Sequence, residues 1–188
     1  MLDEFIDFVS EIFPCISPDV KYKAKDAVLQ FEKEGHQLKF LMMTPLKKLS
    51  QGDIISNVPF ARFSKDGTQK YFIADAIILS TSCHIDNKKY ITLAPIFNLD
   101  TFDGDKEQLK KNKIYDYIYL PNGYMIDKYV NLEIMTTYDK LLIEKGINSK
   151  KLKRITSLSQ LGYYFFIVKL TVFLMRKEDE DTLEERSI

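Results

Sequence analysis

The hydrophobic period of this chain switches near Gly35 and switches back near Ser157, and that pair of changes limits its architecture more than any single motif. Before Gly35 the period is helical. Leu2, Phe5, Ile6, Val9 and Ile12 put an amphipathic helix over 2–13, closed by Pro14. Ser17-Pro18-Asp19 then supplies an N-cap, a first-turn proline and a favourable negative charge. The inward face of this second helix is Val20, Ala24, Ala27, Val28 and Phe31, and Gly35 ends it. Short β-rich runs follow at 38–43, 53–60, 71–80, 89–97, 114–120 and 129–136. Turn signals separate several of them, among them Asp66-Gly67, Asp103-Gly104 and Pro121-Asn122-Gly123. No helical segment lies between the runs, so parallel strands with crossover helices are not expected. The spacing predicts a small antiparallel barrel of five or six strands.

The last element is helical again. Ser157-Leu158-Ser159-Gln160 matches a capping box, and Leu158, Leu161, Phe165, Val168, Val172 and Met175 recur at steps of three and four. Tyr164, Phe166, Ile167 and Phe173 occupy the other side, so this helix is apolar nearly all round. Such a helix has to be buried on more than one face, against the barrel and the N-terminal helices or against a second subunit. The run from Leu161 to Met175 is broken by Lys169 and falls short of the roughly 20 residues a spanning helix needs, so no transmembrane segment is read. The organisation expected is one α+β domain over 1–188. It comprises a helical extension (1–36), a barrel core (37–138), a C-terminal helical region (139–177) and an acidic tail (178–188).

Charge supplies no global field. Lys+Arg and Asp+Glu number 27 each, which argues against a protein held to nucleic acid by bulk charge alone. Locally, Lys145, Lys150, Lys151, Lys153 and Arg154 form a basic patch, and Glu178 to Glu185 an acidic tail that is solvated, covers that patch or docks on a partner. The patch contains no aromatic residue to stack on a base. Two cysteines, Cys15 and Cys83, and no leader-like N-terminal pattern fit a reduced, cytoplasmic protein.

The stretch Ala76 to Asp86 ends an apolar run in Ser80, Thr81, Ser82, Cys83 and His84. Read as extended chain, Cys83 and His84 point to opposite faces and do not pair as nucleophile and base. A metal set of Cys83, His84 and Asp86 lacks a fourth ligand, and no metal or cofactor is expected. Cys83 then reads as a small buried residue, and the three hydroxyls as partners for backbone groups at the turn. Walker, Rossmann and nucleophile-elbow patterns are absent.

Three pieces in order carry a family likeness: Gly52-Asp53-Ile54-Ile55, Ala76-Ile77-Ile78-Leu79-Ser80 and Ile91-Thr92-Leu93-Ala94-Pro95-Ile96. This series resembles the MazF/PemK-like toxins, small SH3-like barrels, over roughly residues 50–100. The resemblance implies metal-independent cleavage of single-stranded RNA within a homodimer, under an antitoxin that occupies the RNA groove. It also implies an arginine between the first two strands and a hydroxyl residue after the third. An arginine suits that role because its fixed charge and forked donors stabilise a phosphorane-like transition state. Where these toxins commonly carry Arg-Pro before the second strand, this chain has Ala74-Asp75; where they often carry Thr or Ser after the third, it has Phe97, with Thr101 further on.

The candidate catalytic set is therefore Arg62 with Ser80, Ser82 or Thr101. The candidate binding set is Cys83, His84, Lys150, Lys151, Lys153 and Arg154. The expected function is a nucleic-acid- or protein-binding component of a bacterial or phage-related toxin or defence assembly, without toxin-type catalysis. It would assemble as a homodimer or hetero-assembly through the C-terminal helix. The alternatives are a metal-independent endoribonuclease using Arg62, and a barrel that only spaces that helix.

Overall fold

A computed structural model of the chain describes residues 6–7, 18–121, 125–175 and 180–186. Of the first helix expected from the sequence, only Ile6 and Asp7 fall within them, both helical; the rest, with Cys15 and the turn at 122–124, lies outside the described residues. Helix α1 (Pro18–Glu34) buries Ala24, Ala27, Val28 and Phe31, four of the five positions its period marks. Strands β1 (Asp53–Phe63) and β2 (Gln69–Ile78) form a long hairpin turned at Asp66-Gly67, where Gly67 takes φ +80°. Helix α2 (Ser82–Asn87), strand β3 (Tyr90–Asn98) and helix α3 (Lys106–Lys110) follow. Then come β4 (Tyr117–Leu120), β5 (Lys128–Asn131), β6 (Thr136–Asp139), α4 (Lys140–Asn148), β7 (Lys153–Ser157), α5 (Gln160–Met175) and α6 (Glu180–Glu185).

Every strand pairing is antiparallel, as the missing crossover helices foretell. The sheet runs β4-β5-β3-β2-β1-β7, and β6 adds to the edge of β3 beside β5. It is not closed into a barrel, which corrects the expected SH3-like closure. Two physical reasons are visible. The end strands β4 and β7 are only four and five residues long. In addition, α1, α5 and the 39–41 segment fill the space over one face, packing Phe31, Phe165 and Phe40 onto Ile54, Ile77, Ile96, Val130 and Ile118. Ring centroids of 4.4 Å for Phe31–Phe165 and 5.6 Å for Phe40–Phe165 mark the centre of that layer.

Other boundaries move for local reasons. The run 38–43 contributes only a bridge between Leu41 and Leu158, because the partner chain turns into α5 at Gln160. The run 129–136 is two strands, since Asn131 Oδ1 accepts from Glu133 N at 2.8 Å and turns the chain. The 139–177 region carries strand β7 between its helices. Helix α5 is capped by Ser159, whose Oγ accepts from Gly162 N at 3.1 Å, and not by Ser157, which closes β7. Gly162 lets α5 approach its neighbour closely: a Cβ there would stand 2.2 Å from the carbonyl O of Phe40.

The opposite face of the sheet carries two smaller clusters. Ile55, Val58, Ile78, Ile91 and Leu93 are covered by Ile85 of α2 and Ile143 of α4. Leu99, Leu109 of α3, Tyr119 and Tyr129 gather over the β4–β5 end. The ground between these clusters holds the candidate site.

Candidate nucleic-acid interface

The register of the ladders brings aromatic rings into one row. Phe60 pairs with Phe72 across β1 and β2, Phe97 with Tyr129 across β3 and β5, and Tyr129 with Tyr119 across β5 and β4. Strand side chains alternate between faces with period two, so these residues share the face away from α1 and α5. Phe60 and Phe72 stack at 5.5 Å with ring planes 15° apart. The row continues to Phe97 at 5.7 Å from Phe72, then Tyr129 at 6.0 Å and Tyr117 at 5.6 Å. Phe102 closes the far end at 5.2 Å from Tyr117. These separations lie within the range of attractive aromatic pairs and make the row a stiff cross-strand unit.

Phe60 and Tyr129 are buried beneath the row, whereas Phe72, Phe97, Tyr117 and Phe102 are half-buried and present ring surface. The guanidinium of Arg62 lies 5.9 Å from the centre of the Phe72 ring, and Lys70 is its cross-strand partner. Two exposed cations therefore border the first half of the row. The phenols stay protonated. Burial, then the Glu133 carboxylate that accepts from Tyr117 Oη at 2.6 Å, raise the Tyr117 phenol, and burial pushes Tyr138 up to about 12. The interface thus combines neutral aromatic surface with positive charge at one end, which is the chemistry that stacks unpaired bases and holds their phosphates.

The sequence candidates scatter around this face. Arg62 stands within β1, opposite Lys70, and not in a loop; β1 extends three residues past its expected end. Thr101 lies beside the row's other half, its Oγ1 donating to Asn98 O at 2.7 Å and interacting with the Tyr129 phenol. Ser80 and Ser82 sit beyond the opposite end of β2 from Lys70. Eight strand steps separate Lys70 from Ile78, roughly 26 Å of extended chain. Their hydroxyls are occupied: Ser80 Oγ accepts from Thr92 N at 2.9 Å and Ser82 Oγ from Gln51 N at 3.2 Å. That is the backbone-satisfying role read from the sequence. The structure does not bring these serines to Arg62.

Cys83 corrects the expectation of a buried thiol. The segment is a helical turn capped by Thr81, whose Oγ1 accepts from His84 N at 3.2 Å, and the inward position falls to Ile85. Cys83 is exposed and free, and His84 Nε2 lies 3.1 Å from the carbonyl O of Tyr90. Among the described residues no group of His, Cys, Asp and Glu is placed to hold a metal ion. No helix among them is long and apolar enough to cross a membrane.

The basic patch divides in two. Lys150, Lys151 and Lys153 are exposed, with Lys150 at φ +61°. Arg154 is committed elsewhere: its Nη2 and Nε donate to Asp53 Oδ2 at 2.6 and 3.1 Å, and Nη2 also reaches Leu46 O and Lys48 O at 2.7 and 2.8 Å. Asp53 is 0 % exposed and further accepts from Ser50 N and from the Ser157 hydroxyl. Gly52-Asp53 is thus a structural clasp. It joins β1 to β7 and folds the 46–50 loop over both, while Gly52, at φ +82°, clears the Leu158 side chain.

Sequence reasoning missed the aromatic row. The signal was present, as an alternating Phe60-x-Arg62 and Lys70-x-Phe72 at facing ends of two strands, but the register that aligns them with Phe97 and Tyr129 is tertiary.

Among solved structures, the chain is similar to one in the crystal structure of MazE-MazF (Form-II) from Deinococcus radiodurans. The identity is 12% and the TM-score 0.40, covering 69% of this chain and 97% of that one. No family model and no curated protein matches. So distant a likeness carries no weight beside the side-chain geometry.

Proposed function

We propose that this chain binds single-stranded RNA on its aromatic sheet face, as a component of a bacterial or phage-related toxin or defence assembly, without toxin-type catalysis. The observation that carries this reading is the continuous row Phe60, Phe72, Phe97, Tyr129 and Tyr117 with Arg62 over one of its rings. Each base stacked on such a ring contributes about 1–3 kcal/mol, and any base has a face to stack. The absence of catalysis is supported by the hydroxyls. Ser80 and Ser82 are far from Arg62, and Thr101 lies beside Tyr129, two ring steps along the row from the Phe72 ring that Arg62 covers.

The test is fluorescence anisotropy of a labelled oligouridylate in EDTA, with wild type, Arg62→Ala and the double variant Phe72→Leu/Phe97→Leu. Leucine keeps apolar bulk while removing the stacking surface. The double variant is expected to bind about tenfold or more weakly, and Arg62→Ala to lower affinity and salt sensitivity together. The RNA is expected to remain intact. Unchanged affinity in the double variant refutes the interface, and Arg62-dependent cleavage in EDTA replaces the binding reading with the endoribonuclease one.

A further inference from the structure

The β1–β2 hairpin reaches past the strands that flank it. Strand β7 pairs with β1 only as far as Ser56, and β3 pairs with β2 only from Asp75 to Ile78, so residues 57–63 and 69–74 form an arm with two outer edges. The two edges are unlike. On β1 a register shift lies between Ile55 and Val58, Asn57 takes φ +63°, and Pro59 has no N–H while its carbonyl accepts from the Tyr138 hydroxyl at 2.6 Å. Features of this kind keep a further strand off an edge. The 69–74 edge of β2 has no proline, no positive φ and an unbroken register.

Alternation along β2 fixes which groups that edge offers. Ile78 O accepts from Gly52 N on the β1 side, and Leu79 N donates to Thr92 O on the β3 side, so even-numbered residues turn their backbone groups toward β1 and odd-numbered ones away from it. Ser64 N, donating to Thr68 O at 2.8 Å at the other end of the hairpin, gives the same parity. The N–H and C=O groups of Gln69, Tyr71 and Ile73 therefore face outward. Among the described residues no hydrogen bond ends on them. Their side chains are open as well, Tyr71 being 76 % and Ile73 71 % exposed. A run of unpaired backbone groups between β-forming apolar side chains is a template for another strand.

We propose that this edge pairs antiparallel with the same edge of a second copy of the chain, Tyr71 opposite Tyr71 on a two-fold axis perpendicular to the sheet. Charge and hydrogen bonding select that register. Centring on Lys70 would set two lysines directly against each other, and centring on Phe72 would bring Gln69 against Asp75, whose edge β3 already holds. Centring on Gln69 would run the ladder into the turn at Gly67. With Tyr71 on the axis, Gln69 of one copy meets Ile73 of the other, all three outward-facing residues find partners, and Lys70 lies against the Phe72 ring. Arg62, the other cation nearby, stands one strand further back. The edge is thus complementary to itself, as a two-fold contact requires. Five residues a side bury roughly 1,000 Å² in total, the low end for a specific interface, so the dimer is weak and concentration-dependent. Both aromatic rows then lie on the same side of the joined sheet, although the pairing itself needs no RNA.

Sedimentation velocity of the full chain, over about 5–200 µM and without RNA, is the test. The mass is expected to climb from 22.0 kDa toward twice that value. Tyr71→Lys and Tyr71→Glu are each expected to weaken the dimer about tenfold or more, because like charges then meet on the axis, and an equal mixture of the two to restore it. Phe63→Ser, on the neighbouring strand and off the edge, is expected to leave it unchanged. A wild type that stays monomeric throughout refutes the pairing, as does a dimer that both charged variants keep or a mixture no tighter than its components. Dissociation by Phe63→Ser also refutes it, by moving the contact from the edge to the apolar face of the arm. Should the charged variants fail to fold, amide exchange of wild type decides. Protection of the Tyr71 and Ile73 amides that rises with protein concentration supports the pairing, and fast exchange at every concentration refutes it.

Discussion

Replacing Arg154 by methionine is the sharpest test of the clasp that organises β1, β7 and the 46–50 loop. Asp53 is 0 % exposed, and two of its four hydrogen bonds come from this guanidinium. Removing the cation leaves a buried carboxylate facing only a backbone N–H and a hydroxyl, a loss of about 3–5 kcal/mol. The carbonyls of Leu46 and Lys48 lose their donor as well, but they lie toward solvent and water replaces it. At about 2–3 °C per kcal/mol for a chain of this size, the melting temperature should fall by roughly 6–15 °C. Urea unfolding followed by circular dichroism gives the free energy directly. Lys151→Ala, two residues before β7 and exposed, should stay within about 0.5 kcal/mol of wild type. Asp53→Asn/Arg154→Met removes both charges and should recover a large share of the loss, because the penalty belongs to the stranded carboxylate. If Arg154→Met is as mild as Lys151→Ala, the clasp is not a stabilising element, and Arg154 returns to the pool of surface cations available to a ligand.

Other consequences are equally direct. Gly162→Ala should cost about 2–3 kcal/mol, read from the urea midpoint, because its Cβ would stand 2.2 Å from Phe40 O and force α5 away from the 39–41 segment. For Lys169, the folded amine sits at about 8 against an ordinary 10.5, so the unfolded chain holds more protons between these values. Its burial penalty is fully present below about pH 8 and gone above about 10.5, so its contribution should make the protein more stable with rising pH by at most about 3 kcal/mol. Lys169→Met should flatten that component, as measured by unfolding free energies of the two proteins across the window. The Phe72→Leu/Phe97→Leu protein should keep its fold while losing oligouridylate affinity, since leucine fills most of the vacated volume.

Much of the fold could be read from the residues in order. The helical period of Val20 to Phe31, the Asp66-Gly67 hairpin and the absence of crossover helices give α1, β1, β2 and the antiparallel character of the whole sheet. These are local properties, set by side-chain alternation and turn chemistry, and they need no knowledge of distant neighbours. The apolar circumference of Leu161 to Phe173 likewise announced a helix covered on several sides, and α5 is covered so within the chain.

Closure of the sheet was decided elsewhere. Whether seven strands close or stay open depends on what occupies the space across the sheet, and here Phe31, Phe40 and Phe165 fill it. Strand β7 was hidden because Lys153-Arg154-Ile155-Thr156-Ser157 reads as a charged loop until Asp53 is found buried opposite it. The same holds for function. Phe60, Phe72, Phe97 and Tyr129 are separate entries in the chain, and only the register of four strands makes them one surface. A lysine in an apolar helix reads as an interruption in sequence. Its role depends on the carbonyls of Asn112 and Ile114, more than fifty residues away, which only the folded chain brings to it.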